Sequence, residues 1–136
     1  AVAILAFGLL GIAALQATAL RNSQSSYERS QAVTQTYSIL DRMRANLNVV
    51  HAGGYDTTMM CDASDVPDDG GALAKNDLSQ WLAGMKQIMG DNACGKVTCV
   101  FDKPTNTYEC NVIVQWDDSR GTKGDDKQSL STSTAI

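Results

Sequence analysis

The sequence is short of the groups that catalysis usually needs. It has a single histidine, His51, and contains no CxxC pair, GxSxG elbow, P-loop or HExxH helix. Without a nucleophile–base pattern or a ligand cluster, the residues point away from an enzyme and call for no cofactor. A long basic run is also missing: Arg21, Arg29, Arg42, Arg44 and Arg120 stand apart, and 11 basic residues face 15 acidic ones for a net charge of −4. That balance argues against nucleic acid as a partner. Charge is absent altogether from Ala1 to Leu20, where only Gln16 and Thr18 carry polar side chains. Proline and glycine are absent from Arg21 to Leu47, so nothing in that stretch breaks a helix.

What is there is an apolar head followed by an amphipathic stretch. As a helix, Ala1–Leu20 reaches roughly 30 Å, one hydrocarbon core. A secretion signal is the competing reading. The "ATA" at Ala17–Ala19 fits a cleavage site, but the charged start is missing and the apolar run exceeds the usual 7–15 or so residues. Beyond it, Val33, Tyr37, Leu40, Met43 and Leu47 recur at helical spacing. They predict one helix from Ala1 to about Asn48, stopped by Gly53 and Gly54, with this stripe packed on the sheet. The remaining residues make a domain only about 25–30 Å across, too small to cover such a helix. Its first half, with Leu5, Phe7, Leu9, Leu10, Ile12 and Leu15, must project into lipid or into a bundle of like helices. Gly8 and Gly11 read as packing positions or as points of local unwinding. The chain therefore divides into residues 1–22, a membrane or filament-core half-helix, and residues 23–136, a globular part that includes the amphipathic half.

Behind the helix, the loop from His51 to Ala74 holds Asp62, Asp65, Asp68 and Asp69, but an EF-hand starting at Asp65 would place Pro67 third and Asn76 twelfth. A solvated loop is the reading, with Met59 and Met60 as core filling and His51 at a helix end. A second helix is predicted with Asp77 as its cap, Gln80 as the capping-box partner, Leu78, Trp81, Leu82, Met85 and Ile88 as its stripe, and Gly90 at its end. "KVTCVF" and "YECNVIVQW" flank the turn "DKPTNT" and predict a hairpin. A tight turn sets Val97, Cys99 and Phe101 on one face with Tyr108, Cys110, Val112, Val114 and Trp116. "DDSRGTKGDDK" reads as a flexible connection and "QSLSTSTAI" as a last strand.

The four cysteines, Cys61, Cys94, Cys99 and Cys110, all follow the apolar head, which favours disulfides in an oxidising compartment over zinc. The hairpin register prefers Cys99–Cys110 and leaves Cys61–Cys94, one of the three connectivities that four cysteines allow.

The run "AILAFGLLGIAALQATALRNSQSSYERSQAVTQTYSILDRMRANL" closely resembles the N-terminal helix of type IV pilus minor pilins of the PilV type, and "WDD" at Trp116–Asp118 resembles their C-terminal sheet. The resemblance implies an α+β, type IV pilin-like fold: a long N-terminal helix packed on a small antiparallel sheet. It implies a non-enzymatic subunit held in the bacterial inner membrane with its domain in the periplasm. That subunit is then extracted into a pilus near its tip, to prime assembly for twitching motility and adhesion. The implied partners are other minor pilins, the major pilin and a tip adhesin. In that family the mature helix opens with an aromatic or Met residue followed shortly by a glutamate. Neither stands here, which implies that about two turns precede Ala1. Two other readings stay open: a minor pseudopilin of type II secretion, and a secreted disulfide-bonded binding module behind a signal peptide.

Overall fold

The computed structural model describes residues 2–121 and 124–136. Ala1, at the start of the expected helix, and part of the connection before the last strand lie outside them. Helix α1 runs Val2–Ala45, 44 residues or about 66 Å. At Asn46 the backbone leaves helical geometry (φ −133°, ψ 47°) and resumes in a short α2, Leu47–His51. One continuous helix to Asn48 was expected; the break re-aims the chain instead. Gly53 then takes φ 80°, a left-handed conformation that costs a glycine little, and Gly54 N–H closes onto Val49 O at 2.8 Å.

A 3₁₀ turn at Ala63–Asp65 leads to α3, Gly71–Met89. This helix begins well before the expected Asp77 cap. Asp77 is an interior residue, buried, and its carboxylate faces Tyr55 and Arg42 rather than free backbone N–H groups. Leu78, Trp81, Leu82 and Met85 are buried as the stripe requires, whereas Ile88 is exposed and Met89 takes the last core position. Gly90 ends the helix with φ 101°.

Three strands form an antiparallel meander, β1 (Cys94–Asp102), β2 (Thr107–Trp116) and β3 (Gln128–Ala135), in the order β1-β2-β3. The first turn is tight enough that Val97 pairs with Val112, Cys99 with Cys110 and Phe101 with Tyr108. β2 lies in the middle and buries Cys110, Val112, Val114 and Trp116 against the helices. The free edge of β1 is covered by the loop after α2. Cys99 N–H donates to Asp56 Oδ1, Val97 N–H to Thr57 Oγ1, and Gly95 exchanges backbone hydrogen bonds with Met60. The structure is therefore α+β, with one long helix and a small antiparallel sheet.

The α1 face in the core differs in part from the expected stripe. Leu40 and Met43 are fully buried, but Val33, Tyr37 and Leu47 are exposed, and Ala32, Thr36 and Ile39 are buried instead. Both α3 and the sheet pack against α1 here, and the Trp81 indole N–H donates to Gln35 O at 2.9 Å. Thr36 satisfies its buried hydroxyl by donating to Ala32 O at 2.9 Å.

Candidate functional site

From Val2 onward the first half of α1 stands clear of the domain. Its apolar window has mean hydropathy 2.1 and none of it is buried. Leu5, Phe7, Leu9, Leu10, Ile12 and Leu15 point to all sides of the helix and are exposed, Phe7 by 77%. Gly8 and Gly11 have open space around them, with no atom for an added Cβ to meet. The helix is long and apolar enough to cross a membrane. A contiguous apolar surface of this extent is far beyond the isolated exposed side chains of a water-soluble domain.

The domain meets the helix at a polar neck. Ser25 Oγ donates to Asp118 Oδ2 at 2.7 Å, and Asp118 is 2% exposed. The Asp118 backbone accepts from Gly121 N–H at 2.8 Å and donates to Asp125 O at 2.9 Å, so one residue organises the turn after β2. One turn along the helix, buried Glu28 accepts from Gln24 Nε2 at 3.2 Å and lies 3.9 Å from the Arg120 guanidinium. Asp117 accepts hydrogen bonds from Ser119, which hold its carboxyl below the usual carboxylate range. Arg21, Gln24, Ser119, Arg120 and Gly121 line an open cleft of about 490 Å³ on the side of the neck next to the apolar half-helix.

Elsewhere several ionisable groups pair within the domain. The acidic loop is mostly spoken for. Asp65 accepts from the N–H groups of Asp62 and Cys61, which lowers its pKa, and Asp68 pairs with Lys75. Asp62 lies 3.7 Å from Lys86. Among the described residues no group of His, Cys, Asp and Glu has the arrangement of a metal site. Cys61 bonds to Cys94 and Cys99 to Cys110, so none of the four is a free thiol. His51 ends α2 and stacks on Tyr108 at 4.2 Å. Met60 fills the core while Met59 lies at the surface.

The residues that sequence reasoning missed are those of the neck. Ser25 and Glu28 lie about ninety residues from Asp118 and Arg120, and two short polar pairs at that separation carry no periodic signal. Only the pairing of β2 with β3 brings the turn at Asp118–Gly121 onto α1. No protein-family model, no curated protein and no solved structure matches this chain.

Proposed function

We propose that this chain is a non-enzymatic minor pilin: a subunit anchored in the bacterial inner membrane by the first half of α1, with its domain in the periplasm, and later drawn into a type IV pilus near the tip. The observation that carries the reading is the exposed, all-round apolar half-helix from Val2 to Leu20 ahead of a disulfide-bonded α+β domain. A surface of this kind is satisfied in two places, by lipid chains before assembly and by neighbouring helices in a filament. Each removes apolar area from water at roughly 25 cal/mol per Å². The exposed Val33 and Tyr37 on α1 and Leu47 on α2 are apolar candidates for lateral contacts with other pilins. Asp69 and its neighbours in the acidic loop are a second candidate contact.

The same architecture suits a minor pseudopilin of type II secretion, which would place the subunit in a secretion machine. Deleting the gene, then counting surface pili and assaying protein secretion, separates the two. Loss of pili with normal secretion supports the pilin reading. Complementation with a chain carrying Leu9→Asp and Leu10→Asp is expected to fail, with the variant lost from the membrane fraction and the pili. Normal pilus number in the deletion strain, or normal incorporation of the double variant, would overturn the reading.

A further inference from the structure

The neck cleft has a position and a chemistry that the anchoring role alone does not require. Arg21 is the first charged residue after the apolar run, so it stands where a helix spanning lipid from Val2 to Leu20 meets the headgroup layer. Gln24 lies on the same helix face, about 4.5 Å further along the axis. Opposite them is the turn Ser119–Gly121, held at this level by the 2.7 Å hydrogen bond from Ser25 to Asp118. Among the described residues, the charged side chains lining the cleft are the two guanidiniums, of Arg21 and Arg120. The neighbouring carboxylates keep their charge but accept hydrogen bonds from neutral donors of the protein: Asp118 from Ser25, Asp117 from Ser119, and Glu28 from Gln24. Arg21 has no ion pair or hydrogen bond among the described residues, and Arg120 is only loosely matched, 3.9 Å from Glu28 with its side chain 71% exposed.

We infer that this cleft binds the phosphate of an anionic phospholipid headgroup, with Arg21 and Arg120 as a two-armed clamp joining helix and domain. Guanidinium groups suit phosphate because their planar donors match two oxygens at once. Basic pockets at the membrane boundary hold anionic headgroups by the same logic. Such a clamp would fix the tilt and height of the domain over the membrane before assembly, and would be vacated when the subunit leaves the bilayer. This inference rests on the membrane-anchoring part of the proposed function.

The test uses the full chain in nanodiscs of phosphatidylcholine with a minor fraction of phosphatidylglycerol. Native mass spectrometry of the released protein counts the lipids that remain bound. The wild-type chain is expected to retain phosphatidylglycerol well above its share of the bilayer. R21Q/R120Q should reduce that enrichment about tenfold, R21K/R120K should restore most of it, and R29Q should leave it unchanged. Flotation with vesicles should be the same for all of them. Equal retention by R21Q/R120Q and wild type would overturn the clamp while leaving anchoring intact. So would displacement of the lipid by millimolar inorganic phosphate at constant ionic strength, which marks a site for soluble phosphate. Unchanged lipid retention combined with loss of R21Q/R120Q from pili would assign the arginines to a protein partner instead. Failure of the wild-type chain to float with vesicles would remove both the clamp and the anchoring reading.

Discussion

Tyr55 has no exposed surface, and its hydroxyl donates to Asp77 Oδ2 at 2.6 Å while accepting from Asn46 Nδ2 at 3.3 Å. Arg42 reaches the same carboxylate from α1 at 3.3 Å. The cluster thus ties α1, the loop after α2 and α3 together. Burial, reinforced by the hydrogen bond to Asp77, pushes the Tyr55 hydroxyl up to about 12. In the unfolded chain it ionises near its usual value of about 10. Below that pH both states hold the proton and the full contribution to stability is present. As pH rises from 10 towards 12 the unfolded state loses its proton first, and stability is lost. The stability advantage of wild type over Tyr55→Phe should therefore be constant up to about pH 10 and shrink above it. Denaturant unfolding in detergent micelles across pH 8–11.5 or so reads this, and a gap that widens with pH would refute it.

The stripe on α1 gives a second test at the same scale. Leu40 is fully buried, so Leu40→Ala should cost roughly 2–5 kcal/mol. Tyr37 is 54% exposed, so Tyr37→Ala should stay within about 0.5 kcal/mol in the isolated chain. Equal losses in thermal unfolding would contradict the observed face. Here the sequence was legible only in part. Leu40 and Met43 announce themselves as apolar residues at helical spacing, but which flank of that pair is buried depends on the partner. Hydrophobicity alone cannot show that Ala32 and Thr36 are buried while Val33 and Tyr37 are exposed.

Among the elements, the hairpin was the most legible. Alternating apolar residues on both sides of a Pro-containing turn fix the register, and the register sets Cys99 opposite Cys110. The start of α3 was not legible, because Gly70 and Gly71 look like loop and Asp77 looks like a cap. Only its burial between Tyr55 and Arg42 shows that Asp77 belongs inside a helix. The two disulfides differ in what they join. Cys99–Cys110 closes the hairpin across a sequence separation of 11, while Cys61–Cys94 spans 33 and ties the loop before α3 to the start of β1. By loop-closure entropy the longer span is worth roughly 4 kcal/mol and the shorter roughly 3 kcal/mol. Cys61→Ala/Cys94→Ala should thus lower the denaturation midpoint more than Cys99→Ala/Cys110→Ala. The reverse order would contradict the loop-closure account.

At the scale of the whole molecule, the domain and the projecting half-helix differ in how their apolar surface is covered. The domain has its own core, built from the lower face of α1, the stripe of α3 and the inner face of β2. The half-helix has none of its surface covered. That division was plain in the sequence, since the uncharged run ends sharply at Arg21 and the domain behind it is too small to cover such a helix. What the sequence did not reveal is the neck, where Ser25 and Glu28 lock the turn after β2 onto α1 and hold the domain at a fixed level along the helix. The most direct test of the central claim places a photo-crosslinking side chain at Leu10 of the full chain in living cells. If the half-helix serves first as anchor and then as filament core, sheared and purified pili should contain the subunit crosslinked through Leu10 to other pilin helices. Crosslinks confined to lipid in the membrane fraction, with no adduct in purified pili, would contradict it.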